Sequence, residues 1–450
     1  MLIRHADIWG HGLADLRIAG SRIAAIGQLT PEPGERIVEA RGGALLPGLH
    51  DHHIHLPALA ARRESVACGP PQVSDEAELA AALSRPGTGW LRGIGYHESV
   101  AGMLDRQMLD RIAPDRPLRI QHRSGRMWFL NSAALDVLLG TAAAPRGLDR
   151  ATGQLFDEDR WMREALGSTP PDFAALSADL ARMGVTGITD MTPSNDDAAA
   201  THFADQRATG RLAQHVLLAG TLALSVGLTK VHLHEADLPD YDHIVAVIAA
   251  AHARDRAVAI HCVTETELVF ALAALAEAGV RPGDRIEHAS IAPDRLVAEI
   301  GRLGLAVVSQ PHFIAERGDQ YREAVEPDSV PHLYRLRAFL DAGVTLAGGS
   351  DAPFGEPDPW ASMRAAVSRR TSGGQAIGAG EALSPEQALA LFLADPVDLS
   401  RQRQIDVGAP ADLCLLDRPW SHARQRLLSG DVRATLIAGG FVHDRVDQTP

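Results

Sequence analysis

The chain has 450 residues, 46% hydrophobic and 22% charged, with 43 Lys and Arg against 57 Asp and Glu and a formal charge of −14. At roughly 150 residues per domain this length allows about three domains, or one α/β barrel with additions. The negative balance excludes a nucleic-acid groove and an anionic-lipid face, both of which need clustered positive charge, and leaves a small-molecule substrate as the expected partner.

The 20 His equal the Phe, Tyr and Trp together, and imidazole is the commonest side-chain metal ligand. Cys68, Cys262 and Cys414 are too widely spaced for a zinc knuckle and odd in number, which fits a reducing compartment. The opening residues Met1 to Asp7 lack the basic-then-apolar layout of a secretory signal. Leu212 to Thr229, the longest uncharged stretch, contains Gln214, His215, Gly220, Thr221 and Gly227. It reads as two buried strands joined by a Gly turn, not as a bilayer helix. A soluble cytoplasmic protein is expected, acting alone or as a homo-oligomer.

Short strands open the chain at Leu2-Ile3, Leu16 to Ile18 and Arg22 to Ile26, broken by Gly20, Gly27 and the Pro31-Glu32-Pro33-Gly34 turn. The tail repeats the pattern in Asp412 to Leu416 and Val432 to Ile437, with a turn at Gly439-Gly440. The two ends are expected to build one small β-sandwich domain from residues 1–48 and 398–450. Between them strands alternate with helices, predicted over Asp242 to Ala253, Glu265 to Ala278, Pro293 to Arg302 and His332 to Ala342. That alternation implies βαβ units and a parallel sheet.

Polar residues stand where such strands end: His53 and His55, Lys230, His261, His288 and Asp351. The last four are separated by 31, 27 and 63 residues, while a (β/α)8 barrel of ~250 residues allots about 31 to each unit. The steps are therefore one unit, one unit and two, which places Lys230, His261, His288 and Asp351 at strands four, five, six and eight. From His55 to Lys230 the chain is roughly 80 residues longer than three units need. The expected architecture is an α/β TIM barrel over 49–397, with an insertion within about 66–165.

In Pro47-Gly48-Leu49-His50-Asp51-His52-His53-Ile54-His55, residues two apart on a strand share a face. His53 with His55, or His50 with His52, can offer two imidazoles to one cation, and spacing alone does not choose. The segment resembles the Pro-Gly-Leu-x-Asp-x-His-x-His signature of the amidohydrolase superfamily, which selects His53 and His55. The rest of the chain is similar to the amidohydrolase-3 (YtcJ-like) branch. The resemblance is carried by Gly227-Leu228-Thr229-Lys230, Val258-Ala259-Ile260-His261 and Arg285-Ile286-Glu287-His288-Ala289, then by Gly349-Ser350-Asp351-Ala352-Pro353 and Gly408 to Leu413.

The resemblance implies a divalent pair, usually zinc, with His53 and His55 on one ion and His261 and His288 on the other. A carboxylated Lys230 would bridge them, and Asp351 would ligate the first ion and act as the catalytic proton carrier. A lysine ammonium has no lone pair and cannot ligate, and only its carbamate offers two oxygens; an alternative partner for a free Lys230 is Glu235 or Asp237. The implied activity is a metal-dependent hydrolase for carbon–nitrogen bonds other than peptide bonds, cleaving an N-acyl or N-formyl amide by metal-activated hydroxide. Two alternatives stand beside it: a deaminase of a heterocyclic amine with one metal, and a barrel kept as a non-catalytic scaffold.

One segment departs from the branch. Where it often carries Ser-Gly-His-x-x-Trp-x-Asn-Ser-x-Ala-Leu, this chain has Ser124-Gly125-Arg126-Met127-Trp128-Phe129-Leu130-Asn131-Ser132, with Arg126 at the histidine position. Arg123 or Arg126 reading an acidic group on the substrate, with Trp128 as a further substrate contact, is one expectation, and solvated arginines beside a core Trp128 the other. His312, after strand seven, is a further candidate substrate contact. Cys262 is expected to point away from the site.

Overall fold

The computed structural model describes residues 1–70, 72–167 and 170–445. Eight of its strands are parallel: β1 (Leu49–Ile54), β2 (Val185–Asp190), β3 (His215–Gly220), β4 (Leu228–His232), β5 (Val258–Cys262), β6 (Arg285–His288), β7 (Ala306–Ser309) and β8 (Thr345–Gly348). They pair in chain order from β1 to β8. Just beyond β8 the ring returns to β1 through the parallel bridge Ile54–Ala352 and a 2.8 Å bond from His55 N–H to the Ala352 carbonyl. The result is a nearly closed α/β barrel. Strands in such a wall are covered on both faces, and in β5 Val258, Ala259, Ile260 and Cys262 are all fully buried.

The helices that cover the wall start and stop where local chemistry dictates. α1 (Glu265–Ala278) begins at Thr264, whose hydroxyl and the Glu267 carboxylate cap each other's backbone N–H groups. It buries Leu268, Ala271, Leu272 and Leu275, one stripe at helical spacing. α2 (Asp294–Leu303) ends on Gly304 in the left-handed conformation. The helix predicted over His332 to Ala342 shrinks to Arg337–Asp341. Tyr334 has φ +45, and the carbonyls of Leu333 and Tyr334 accept from the buried Arg369 guanidinium at 2.8 and 2.9 Å instead of entering a helix.

The uncharged stretch forms β3 and β4 as adjacent parallel strands, joined by residues 221–227 with no helix between them. Gly227 closes this short connection with φ +72, and a Cβ there would meet the Leu218 carbonyl oxygen at 2.0 Å.

Both chain ends enter one eight-stranded sheet. Ala44–Pro47 pairs antiparallel with Leu413–Leu416, which joins the strands of the first 47 residues to Val432–Ile437 and Gly440–Asp444. Ile3, Leu16, Leu45, Leu415 and Leu436 form the middle of its core. Residues Pro57–Pro171 make a compact unit of their own. That unit holds a six-stranded sheet of Val66–Ala67, Leu91–Tyr96, Leu118–His122, Met127–Leu130, Gln154–Phe156 and Leu148–Asp149. Among the described residues no helix is long and apolar enough to cross a membrane.

Candidate metal centre

The two histidine pairs of β1 have different fates. His50 Nε2 lies 2.9 Å from the Thr189 hydroxyl on β2, deep in the wall. His53 and His55, with ring centroids 5.2 Å apart, bring Nε2 to 3.4 and 3.2 Å from Asp351 Oδ1.

Asp351 reaches this position because the end of β8 is pressed onto β1. Its N–H donates to the His53 carbonyl at 2.6 Å. Asp51 accepts from the N–H groups of His53 and Ser350 at 3.1 and 2.9 Å and from the Ser350 hydroxyl at 2.5 Å. Burial pushes Asp51 up to about 6 against those hydrogen bonds. The approach is close enough to exclude a side chain at Gly349, whose Cβ would lie 2.4 Å from His53 Cβ. Asp351 itself adopts φ +51, an uncommon conformation for a residue with a side chain.

β6 contributes two neighbouring residues to the same region, which strict strand alternation forbids. Glu287 bonds to His53, so His288 should point into the helix layer. Instead His288 has φ +70 and Ala289 φ +46. The His288 ring turns to within 4.7 Å of the His53 ring and 4.4 Å of the His261 ring, centroid to centroid. Its Nδ1–H donates to Gln310 Oε1 at 2.8 Å, which leaves Nε2 with its lone pair free.

On β5 His261 stacks on His232 of β4 at 4.2 Å, the two being register partners. Two residues before His232, Lys230 is buried and its Nζ has no hydrogen-bond partner among the described residues, Glu235 and Asp237 included. Burial pushes its ammonium down to about 8, against the pull of Glu287 and Asp351. Cys262, beside His261, is buried with Sγ 3.7 Å from the Glu267 carbonyl of α1, in the helix layer.

These side chains fit a cation. The ligand atoms of His53, His288 and Asp351 lie within 4.8 Å of one another. Three buried nitrogens, His53 Nε2, His288 Nε2 and Lys230 Nζ, lack partners among the described residues, where buried polar atoms are normally satisfied. Burial holds His53, His261 and His288 below the ordinary imidazole range, in the neutral form a metal needs. Burial alone would raise the Asp351 carboxyl, yet the hydrogen bond from His55 and the surrounding imidazoles hold it below the usual carboxylate range.

Behind the ligands runs a buried ionic chain that strand spacing did not reveal. Arg285 Nε donates to Glu287 Oε1 at 2.6 Å, and His53 Nδ1–H donates to Glu287 Oε2 at 2.5 Å. Arg285 also donates to the His52 carbonyl at 3.2 Å. This carboxylate fixes which His53 nitrogen faces the site. His232 was missed as well, although Lys230-x-His232 repeats the alternation of His53-x-His55.

The candidate substrate contacts are placed less openly. His312 is buried, with Nε2 2.9 Å from the Ser350 carbonyl and Nδ1 3.2 Å from the Ser362 hydroxyl. Both ring nitrogens are thus engaged, and the ring supports the backbone just before Asp351 rather than offering a free edge. In the Pro57–Pro171 unit Trp128 is 5% exposed and packs in an apolar core, with the Arg92 and Arg119 guanidinium groups 5.5 Å from its ring. Arg126 is exposed and grips Asp157 with two nitrogens. Arg123 is exposed, its N–H bonded to the Tyr96 carbonyl.

Comparison with known proteins agrees with this geometry. Residues 36–443 match the family described as the amidohydrolase family. N-substituted formamide deformylase of Arthrobacter pascens is 26% identical over 95% of this chain and 94% of its own. YtcJ of Bacillus subtilis, which carries an amidohydrolase designation, is 23% identical over 92% of each chain. Among solved structures, a metal-dependent hydrolase from Pyrococcus furiosus superposes with a TM-score of 0.76 at 22% identity, over 93% of this chain and 98% of that one. At that identity the superposition speaks for the fold.

Proposed function

The chain belongs to the amidohydrolase family and is a hydrolase of carbon–nitrogen bonds outside peptides, and from that premise we propose that its substrate is a small N-formyl or N-acyl amide. What carries the reading is the convergence, beside Asp351, of buried His53 Nε2, His288 Nε2 and Lys230 Nζ, which have no hydrogen-bond partner among the described residues. In the arrangement we propose, His53, His55 and Asp351 would hold one ion and His261 and His288 another, with a carbamate on Lys230 as a further ligand. Bound divalent metal, zinc in this reading, supplies Lewis-acid polarisation of the scissile carbonyl and lowers the pKa of water.

The chain's own groups do the rest. Lys230, pushed down to about 8, has the neutral amine that reaction with CO2 requires. Glu287 takes the Nδ1–H of His53 and Gln310 that of His288, so both rings keep Nε2 for the ion. Asp351 Oδ, a carboxylate at neutral pH, accepts a proton from the attacking water and returns it to the departing nitrogen. An amide nitrogen leaves poorly until protonated, so one carboxylate serves both transfers. Arg123 and Arg126 are proposed readers of an acidic group on the substrate, Arg126 by exchanging Asp157 for it. We also propose residues 1–48 and 398–450 as the small β domain and a reducing, cytoplasmic setting, supported by three buried free cysteines.

The experiment is turnover by protein loaded with zinc and bicarbonate, on a panel of N-formyl amines, N-acyl amines and amino-substituted heterocycles. Release of formate or carboxylate with the amine, lost on chelation, supports the proposal. Ammonia from the heterocycles with one ion per chain points to the deaminase instead.

A further inference from the structure

Away from Asp351, beside the start of β1, the terminal sheet and the segment after Pro385–Ala390 enclose a cavity of about 450 Å³. That volume falls in the range of small-molecule sites. Three arginines line it: Arg22 from the terminal sheet, and Arg401 and Arg403 from the segment. None of the three lies within 4.0 Å of a carboxylate among the described residues. Arg22 spends one nitrogen on the Gly408 carbonyl at 2.6 Å, and Arg403 one on the Phe392 carbonyl at 3.0 Å. Arg403 Nε is buried with no partner among the described residues. Burial pushes this guanidinium down to about 10.

The cavity also has carboxylates, and two of the three hold hydrogen bonds of their own. Asp395 accepts from the N–H groups of Val397 and Asp398 at 2.9 and 3.2 Å. Asp412 accepts from Ala438 N–H at 2.7 Å and sits 3.0 Å from His215 Nε2. Asp406 is 3.6 Å from His11 Nε2. Spare donors therefore collect on three guanidinium groups that no carboxylate of the described residues pairs with. A buried cation normally has a partner, and a planar fork of N–H donors matches the oxygens of phosphate or carboxylate.

We propose that this cavity binds a small molecule bearing a phosphate or carboxylate group, anchored by Arg403 with Arg22 and Arg401 closing on it. The ligand ties the terminal sheet to the barrel, since Arg22 and Arg403 come from the two sides. A ligand that binds only the folded protein raises Tm with its concentration. The test is a thermal titration of the full-length, zinc-loaded protein with inorganic phosphate and, separately, succinate, repeated on Arg403→Gln and Arg401→Gln. Arg401 is exposed, so its variant keeps the comparison valid should Arg403→Gln fail to fold.

The expected result is a concentration-dependent rise of several degrees in the wild type that is lost in the folded variants. A response to phosphate alone or to succinate alone identifies the headgroup. A rise that survives in Arg401→Gln and Arg403→Gln places the anion elsewhere, the metal centre included, and overturns the proposal. So does the absence of any rise with both probes at millimolar concentration.

Discussion

Glu287→Gln removes one charge and no volume from the centre of the barrel. Both Glu287 oxygens are taken by donors, His53 Nδ1–H at 2.5 Å and Arg285 Nε–H at 2.6 Å. A glutamine has one acceptor oxygen and an NH2 group, so one of these two buried donors must face another donor. Leaving such a donor unsatisfied costs about 1–3 kcal/mol. If the amide oxygen stays with Arg285, His53 loses the partner that keeps Nε2 free for the ion, and metal affinity falls roughly 10–100-fold. On the scale of about 1.4 kcal/mol per tenfold, the two figures agree. If the oxygen stays with His53, the Arg285 charge is buried unpaired, and the loss is of stability, up to about 3–5 kcal/mol. Chelator competition for zinc, measured alongside thermal unfolding, separates the two. Adding Arg285→Met to Glu287→Gln frees the amide oxygen for His53 Nδ1–H and should recover part of the stability and part of the affinity. A folded Glu287→Gln protein with wild-type affinity and wild-type Tm refutes the reasoning.

Other substitutions and conditions have definite expected outcomes. Asp351→Asn should retain metal but lose about 10²-fold or more in kcat, the scale of a positioned acid–base group; near-normal turnover removes Asp351 from proton transfer. Lys230 with a pKa near 8 is half neutral at that pH, whereas an unperturbed lysine at 10.5 is almost wholly charged. Carbamate formation from labelled bicarbonate, followed by carbon NMR, should therefore rise as pH increases through 8 and fade below it as the ammonium returns. A signal that appears only above pH 10 contradicts this. Gly349→Ala forces a Cβ to 2.4 Å from His53 Cβ, and the displaced strand end should cost about 1–3 kcal/mol together with zinc affinity, both visible in one metal-dependent melt. Arg123→Gln and Arg126→Gln should slow carboxylated amides more than neutral ones, and equal losses on both rule out acid reading.

Much of this arrangement was legible because a parallel barrel converts chain spacing into position. Lys230 and His261 needed only a strand count and an alternation rule to fall on β4 and β5. The His53 and His55 pair needed more, since His50 and His52 have the same spacing, and it is the approach of β8 that separates the pairs. His288 was legible as a strand end but not in its direction. Alternation after Glu287 sends it outward, and a left-handed turn at 288–289 brings it back. The Glu287–His53 bond joins residues far apart in the chain, and it depends on how β6 faces β1 across the barrel, which no local pattern encodes. Trp128 shows the converse limit. A motif placed it beside candidate arginines, and only packing reveals that its ring is core. The helix lost at Tyr334 was invisible because its competitor is Arg369, a distant side chain that takes the carbonyls.

The most direct measurement is anomalous diffraction at the zinc edge from crystals grown with zinc and bicarbonate. The account predicts one metal peak bonded to His53, His55 and Asp351 and a second bonded to His261 and His288, with Lys230 carboxylated. Zinc density that avoids His53, His288 and Asp351 altogether contradicts it.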